Sequence, residues 1–113
     1  MNKELTINTY EEDILLFKEN LLGTLKNNIL TYENETDSFI IDIHNHIFQK
    51  ENLESILTIR PDKALLVLKE LDHKLEIPLN KQDFQKENNK IIIEYLLESQ
   101  EKSLKIEIEM SDL

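Results

Sequence analysis

A chain of 113 residues, 40% of them hydrophobic, suffices for one domain, 1–113, whose core hides roughly two thirds of the unfolded surface. Its 23 acidic against 13 basic side chains give a formal charge of -10, and Arg60 is the only arginine among scattered bases, so phosphate backbones and anionic membranes are repelled. The lack of Cys removes disulfide scaffolds, thiolate nucleophiles and thiolate zinc sites, and a single Gly leaves no glycine-rich phosphate loop.

From the N-terminus, Leu5 and Ile7 open a first strand and Ile14 to Leu22 a second. Lys26-Asn27-Asn28 reads as a turn feeding a strand that ends at Tyr32. Phe39 to Phe48 reads as one long strand and Ser55 to Arg60 as a shorter one. Pro61-Asp62-Lys63, ahead of Ala64 to Leu68 and Leu71, admits two readings. Pro in a first turn and Asp62 beside it suit a helix near 61–74, whereas a segment apolar on both faces suits a strand covered on each side. Leu75, Ile77 and Leu79 alternate with Glu76, Pro78 and Asn80, and the missing N–H of Pro78 points to an edge or a bulge. Lys90 to Ser99 and Leu104 to Met110 form a hairpin over Ser99-Gln100-Glu101-Lys102. In its second arm Leu104, Ile106, Ile108 and Met110 alternate with Lys105, Glu107 and Glu109, one dry face and one wet.

About eight or nine strands around one core predict an all-β antiparallel barrel or sandwich, with closure favoured because it removes exposed edges. The helix near 61–74 would make the fold α+β. Turns are punctuated by Asn rather than Gly, at Asn27-Asn28, Asn34, Asn80 and Asn88-Asn89; Asn is the next best residue for left-handed backbone.

The order Leu5-x-Ile7, Glu11-Glu12-Asp13, Gly23, Leu30-x-Tyr32-Glu33, Arg60 and the closing pair Ile91 to Leu97 and Leu104 to Ile108 resembles the YwiB-like domain of unknown function, a small bacterial calycin-type barrel. The resemblance spans most of the chain. It departs at Arg60-Pro61-Asp62-Lys63, where the family places a Gly shortly after the Arg, and over Thr36 to Ser55. It implies a lipocalin-like barrel and supplies no catalytic residue.

The residues themselves offer several candidate sites. Along an extended strand Asp42, His44 and His46 share one side, and alternate histidines with a carboxylate can hold a metal; His44-x-His46-x4-Glu51 is similar to the first motif of cupins. The same three residues equally form the wet face of a strand whose dry face is Ile41, Ile43 and Ile47. An HNH nuclease, despite the string His44-Asn45-His46, is opposed by the acidic surface. Carboxylate pairs such as Glu94-x3-Glu98 and Glu107-x-Glu109 lie opposite apolar faces and read as solvation, or as a stripe mimicking nucleic-acid charge. No serine sits in a Gly-x-Ser-x-Gly elbow. Arg60 offers a planar fork for a carboxylate or phosphate, and pairs with one of the acids or hooks a ligand. Tyr32 and Tyr95 are core aromatics with a hydroxyl at the rim, or walls of a pocket.

No apolar stretch approaches the roughly 18 to 20 residues of a membrane helix, and Met1 to Tyr10 lack the apolar core of a secretory signal; the expected location is the cytoplasm. The expected role is a binding module for a small molecule or a protein, without enzymatic activity or cofactor, with Arg60, Tyr32 and Tyr95 as ligand contacts. Self-association into a homodimer would cap any exposed edge. Two alternatives stand beside it: a cupin-like metal protein using His44, His46 and Glu51, and an acidic nucleic-acid mimic.

Overall fold

The computed structural model describes residues 1–113 and contains ten strands. They are β1 (Asn2–Glu11), β2 (Ile14–Lys26), β3 (Ile29–Glu33), β4 (Ser38–Asp42), β5 (Ile47–Glu51), β6 (Ser55–Ile59), β7 (Lys63–Leu68), β8 (His73–Glu87), β9 (Lys90–Leu97) and β10 (Leu104–Asp112). Each pairs antiparallel with the next, and β10 returns to β1 through a register running from Lys3↔Asp112 to Glu11↔Leu104, which closes the barrel. No helix is long and apolar enough to cross a membrane.

The interior follows from the period of two. Ile7 faces Ile108 across β1 and β10, Ile106 faces Ile93, and Ile93 faces Phe84, so each residue of the dry face meets another. Leu5, Leu30, Ile41, Phe48, Ile59, Ile91, Ile93 and Ile108 are fully buried, and each such side chain is worth about 1.5–3 kcal/mol relative to exposure. Gly23, in β2, serves the core by its absent side chain and not by turn freedom. A Cβ there would stand 2.6 Å from Leu5 Cδ1 and 3.0 Å from the Thr31 carbonyl oxygen, and its φ is negative.

Asn does carry turns. Asn27 and Asn28 take φ of 53° and 64° in the two-residue β2–β3 connection, the left-handed pair that matches the twist of a hairpin. Asn34 and Asn52 work through their side chains: Asn34 Oδ1 accepts the backbone N–H groups of Thr36 and Asp37 at 3.0 and 2.8 Å, and Asn52 Oδ1 those of Glu54 and Ser55 at 2.9 Å. Glu12 and Asp13, at φ of 50° and 66°, hold the same left-handed pair in the β1–β2 turn with residues less suited to it.

Two expectations are corrected and a third is met. Phe39 to Phe48 is not one strand: β4 stops at Asp42, whose carboxylate accepts the backbone N–H of Asn45 at 3.0 Å and its side-chain amide at 2.8 Å, and His46 turns left-handed at φ 57°. That local capping outcompetes extension, and the extra hairpin brings the strand count to ten. The segment near 61–74 is not helical. Pro61 and Asp62 lie in the β6–β7 turn, and Ala64 in β7 is fully buried between Ile59 and Ile77, because closure requires an extended partner for both β6 and β8. The bulge expected near Pro78 is present between Leu79 and Lys81.

The two longest strands are shared along their length. Only Gly23 to Lys26 of β2 pair with β3, while its first part pairs with β1 alone; β8 pairs with β7 up to Pro78 and with β9 from Leu79 onward. The β1–β2 hairpin therefore projects beyond β3, carrying the exposed side chains of Ile14, Leu15, Leu16 and Phe17.

Candidate functional site

In an up-and-down barrel alternate connections share an end. The β1–β2, β3–β4, β5–β6, β7–β8 and β9–β10 connections cluster at one mouth, and beneath it the inward faces leave a cavity of about 90 Å³. Ile7, Tyr32, Phe48, Tyr95 and Ile106 are its buried lining residues. Glu19, Asn34, Asp37 and Lys50 line it as partly exposed polar groups, and Phe17 stands half exposed at its edge.

Register explains the space. Tyr32 lies opposite Gly23 on one side and Phe39 on the other, so β2 contributes no side chain at that level and the phenol ring has room to lie inward. Phe39 in turn faces Lys50, and Tyr95 faces Leu104. The aromatics form a connected wall: Tyr32 stacks on Phe39 at 4.6 Å and 15°, Phe39 meets Phe48 at 6.0 Å, and Phe48 meets Tyr95 at 6.2 Å.

The two tyrosines are 6% and 4% exposed, and neither hydroxyl has a hydrogen-bond partner in the protein. Burial, and after it the Glu19 carboxylate nearby, pushes the Tyr32 phenol well above its ordinary range. Burial alone pushes Tyr95 up to about 12. Both phenols therefore remain protonated donors at neutral pH. Beside Tyr95 across the sheet, Gln82 buries its Nε2 without an acceptor, and a buried donor left unpaired costs roughly 1–3 kcal/mol. The two phenol oxygens are not sealed off in this way and are free to take an outside partner.

The charged groups here have neutral partners or none. Glu19 accepts Asn34 Nδ2, with contacts of 3.2 and 3.4 Å to its two oxygens, and Asp37 Oδ2 accepts the Thr36 hydroxyl at 2.7 Å. Lys50 takes no part in any of the ion pairs of the molecule, which join Lys3–Asp112, Lys63–Glu76, Lys69–Glu51, Lys81–Glu94, Lys90–Glu107, Lys102–Glu11 and Lys105–Asp13.

Of the residues singled out from sequence, Tyr32 and Tyr95 meet in this cavity. Arg60 does not: it is exposed in the β6–β7 turn at the opposite end, its backbone N–H donating to the Lys63 carbonyl at 2.9 Å, and its guanidinium forms no ion pair. The cupin-like arrangement is corrected by the β4–β5 turn. His44 and His46 sit in that turn, not on a strand face, and the His46 ring stacks on Phe84 at 4.6 Å and 7°. Glu51 lies at the far end of β5, accepting Lys69 Nζ at 2.7 Å. Nowhere do three or more His, Asp or Glu side chains gather as a metal site would require. Asp42 is held below the usual carboxylate range by the Asn45 amide and backbone, a turn contact. The outer face of β9 and β10 interleaves its acids with lysines, Glu94 with Lys81 at 3.1 Å and Glu107 with Lys90 at 3.0 Å, unlike the one-signed stripe of a nucleic-acid mimic.

Sequence reasoning missed Glu19, Asn34, Asp37, Phe39, Phe48 and Lys50 as cavity residues. Phe48 and Lys50 share a face two apart in β5, a signal hidden in the sequence because Phe39 to Phe48 has the pattern of a single strand ending there. Comparison of the chain with protein-family models, with curated proteins and with solved structures gives no match.

Proposed function

We propose that the protein is a cytoplasmic, non-enzymatic binding module of the calycin kind, similar to the YwiB-like barrels, that takes a small molecule in the cavity at one mouth of the barrel. The observation that carries this reading is the pair of buried tyrosines, Tyr32 and Tyr95, which line one cavity and whose hydroxyls have no hydrogen-bond partner in the protein. Side chains fill the remainder of the barrel, and small barrels either fill completely or keep room for one guest. The cavity's volume equals that of about three water molecules, so a guest inserts a compact head group and leaves the rest of itself in the mouth.

The test is an amide chemical-shift titration with a panel of neutral, cationic, anionic and zwitterionic fragments no larger than benzoate. Binding shifts the amides of Tyr32, Phe39, Phe48 and Tyr95 together and saturates. The Tyr32→Phe/Tyr95→Phe double variant, which keeps the rings and removes the hydroxyls, weakens the best fragment about tenfold. A panel in which no fragment perturbs those amides, or in which the double variant binds as well as the parent, contradicts the reading.

A further inference from the structure

The cavity holds two opposite kinds of polar group that do not neutralise one another. Glu19 and Asp37 are acceptors whose partners, Asn34 and Thr36, are uncharged. Lys50 and the hydroxyls of Tyr32 and Tyr95 are donors without acceptors, and no ion pair joins Lys50 to either carboxylate although all three line the same space. Tyr32 and Tyr95 are each more than nine-tenths buried, and their hydroxyls donate to no group of the protein. A purely cationic guest would face Lys50, and a purely anionic one would face Glu19 and Asp37. Either leaves one kind of charged group in the partly exposed wall without an opposite partner. A guest bearing both charges offers each kind a partner.

We propose, resting on the reading that this cavity binds a small molecule, that its ligand is a small zwitterion with an ammonium and a carboxylate group. The carboxylate accepts from Lys50 Nζ and the two phenols, the ammonium donates to Glu19 and Asp37, and the carbon between them lies against Phe39 and Phe48. Charge-assisted hydrogen bonds are the stronger ones, and a donor set on one part of the ligand with acceptors on another also fixes its direction. Recognition by Tyr hydroxyls and Lys discriminates against an amine lacking the carboxylate, because those donors then gain no acceptor from the guest.

The experiment is an amide chemical-shift titration with glycine, β-alanine and 4-aminobutyrate as zwitterions of increasing charge separation, against propionate, propylamine and uncharged propionamide. At least one zwitterion binds about tenfold tighter than both propionate and propylamine. Lys50→Met reduces its affinity to the level of propylamine, and Glu19→Gln to the level of propionate. Propionate or propylamine matching the best zwitterion overturns the proposal, as does a zwitterion affinity unchanged in both variants. Since the first comparison uses the unmodified protein, it decides even where a variant folds poorly. Propionamide shifting the cavity amides while no zwitterion does so defeats the zwitterion assignment and leaves the binding reading intact. Silence from every probe defeats both.

Discussion

At the scale of single residues, the buried tyrosines tie stability to pH with a definite sign. In the unfolded chain their phenols ionise near 10.0, while in the folded barrel Tyr95 holds its proton to about 12 and Tyr32 higher still. Between these values the native state binds more protons than the unfolded one, so the stability present below pH 10 falls as pH rises toward the folded value. Denaturant melts at successive alkaline pH values should show this decline, and the Tyr32→Phe/Tyr95→Phe variant should show a flatter one. A decline equally steep in the variant would place the cause elsewhere. Gly23 makes the second residue-scale prediction. Gly23→Ala drives a Cβ into Leu5 and the Thr31 carbonyl, and overpacking of this kind costs about 1–3 kcal/mol. Urea unfolding measures it, and an unchanged midpoint would mean that Leu5 moves aside freely. The same glycine stands opposite Tyr32, so the residue that permits close packing on one side leaves room for the phenol on the other.

At the scale of elements, legibility depended on whether one face was dry. Leu104 to Met110 and Lys90 to Leu97 were readable because apolar and charged residues alternate without a break, and their hairpin appears as expected, with Leu104 opposite Tyr95 and Ile108 opposite Ile91. The run Asp42 to His46 deceives because alternation of polar with apolar side chains looks alike in a strand and in a capped turn; what decides is the Asp42–Asn45 hydrogen bonding, a short-range competitor invisible to periodicity. Ala64 to Leu68 was ambiguous because both faces are apolar, and only the need of β6 and β8 for a common neighbour settles it as a strand. Tyr32 and Tyr95 were legible as candidates, but not the cavity between them, because that depends on which levels of distant strands coincide after closure. The β1–β2 turn supplies the prediction at this scale. Asp13 holds φ 66°, which glycine adopts without strain. Asp13→Gly relieves about 1–2 kcal/mol of left-handed strain against about 0.4–1 kcal/mol of added freedom in the unfolded chain, so a slightly higher melting temperature is expected. A lower one would show that the Asp13–Lys105 contact outweighs the strain.

At the scale of the whole molecule, ten strands in chain order close through the β1–β10 pairing and leave no long crossover. Closure fills most of the interior with aliphatic side chains from facing strands, and it gathers at one mouth the inward polar residues of strands that no local pattern would group. The acidic surface and the mixed-charge cavity are thus separate features. Most acids face water, and only Glu19 and Asp37 among them line the cavity.

Ring-labelled tyrosine decides whether Tyr32 and Tyr95 together border a space that a small molecule enters. The protein has three tyrosines, and Tyr10 lies outside the cavity beneath Lys105, a built-in control. In a proton–carbon correlation spectrum during titration with 4-aminobutyrate and the fragment panel, the ring signals of Tyr32 and Tyr95 should move together and saturate while that of Tyr10 stays fixed. Movement of Tyr10 alone, or no saturable movement of Tyr32 and Tyr95 with any probe, would contradict the account.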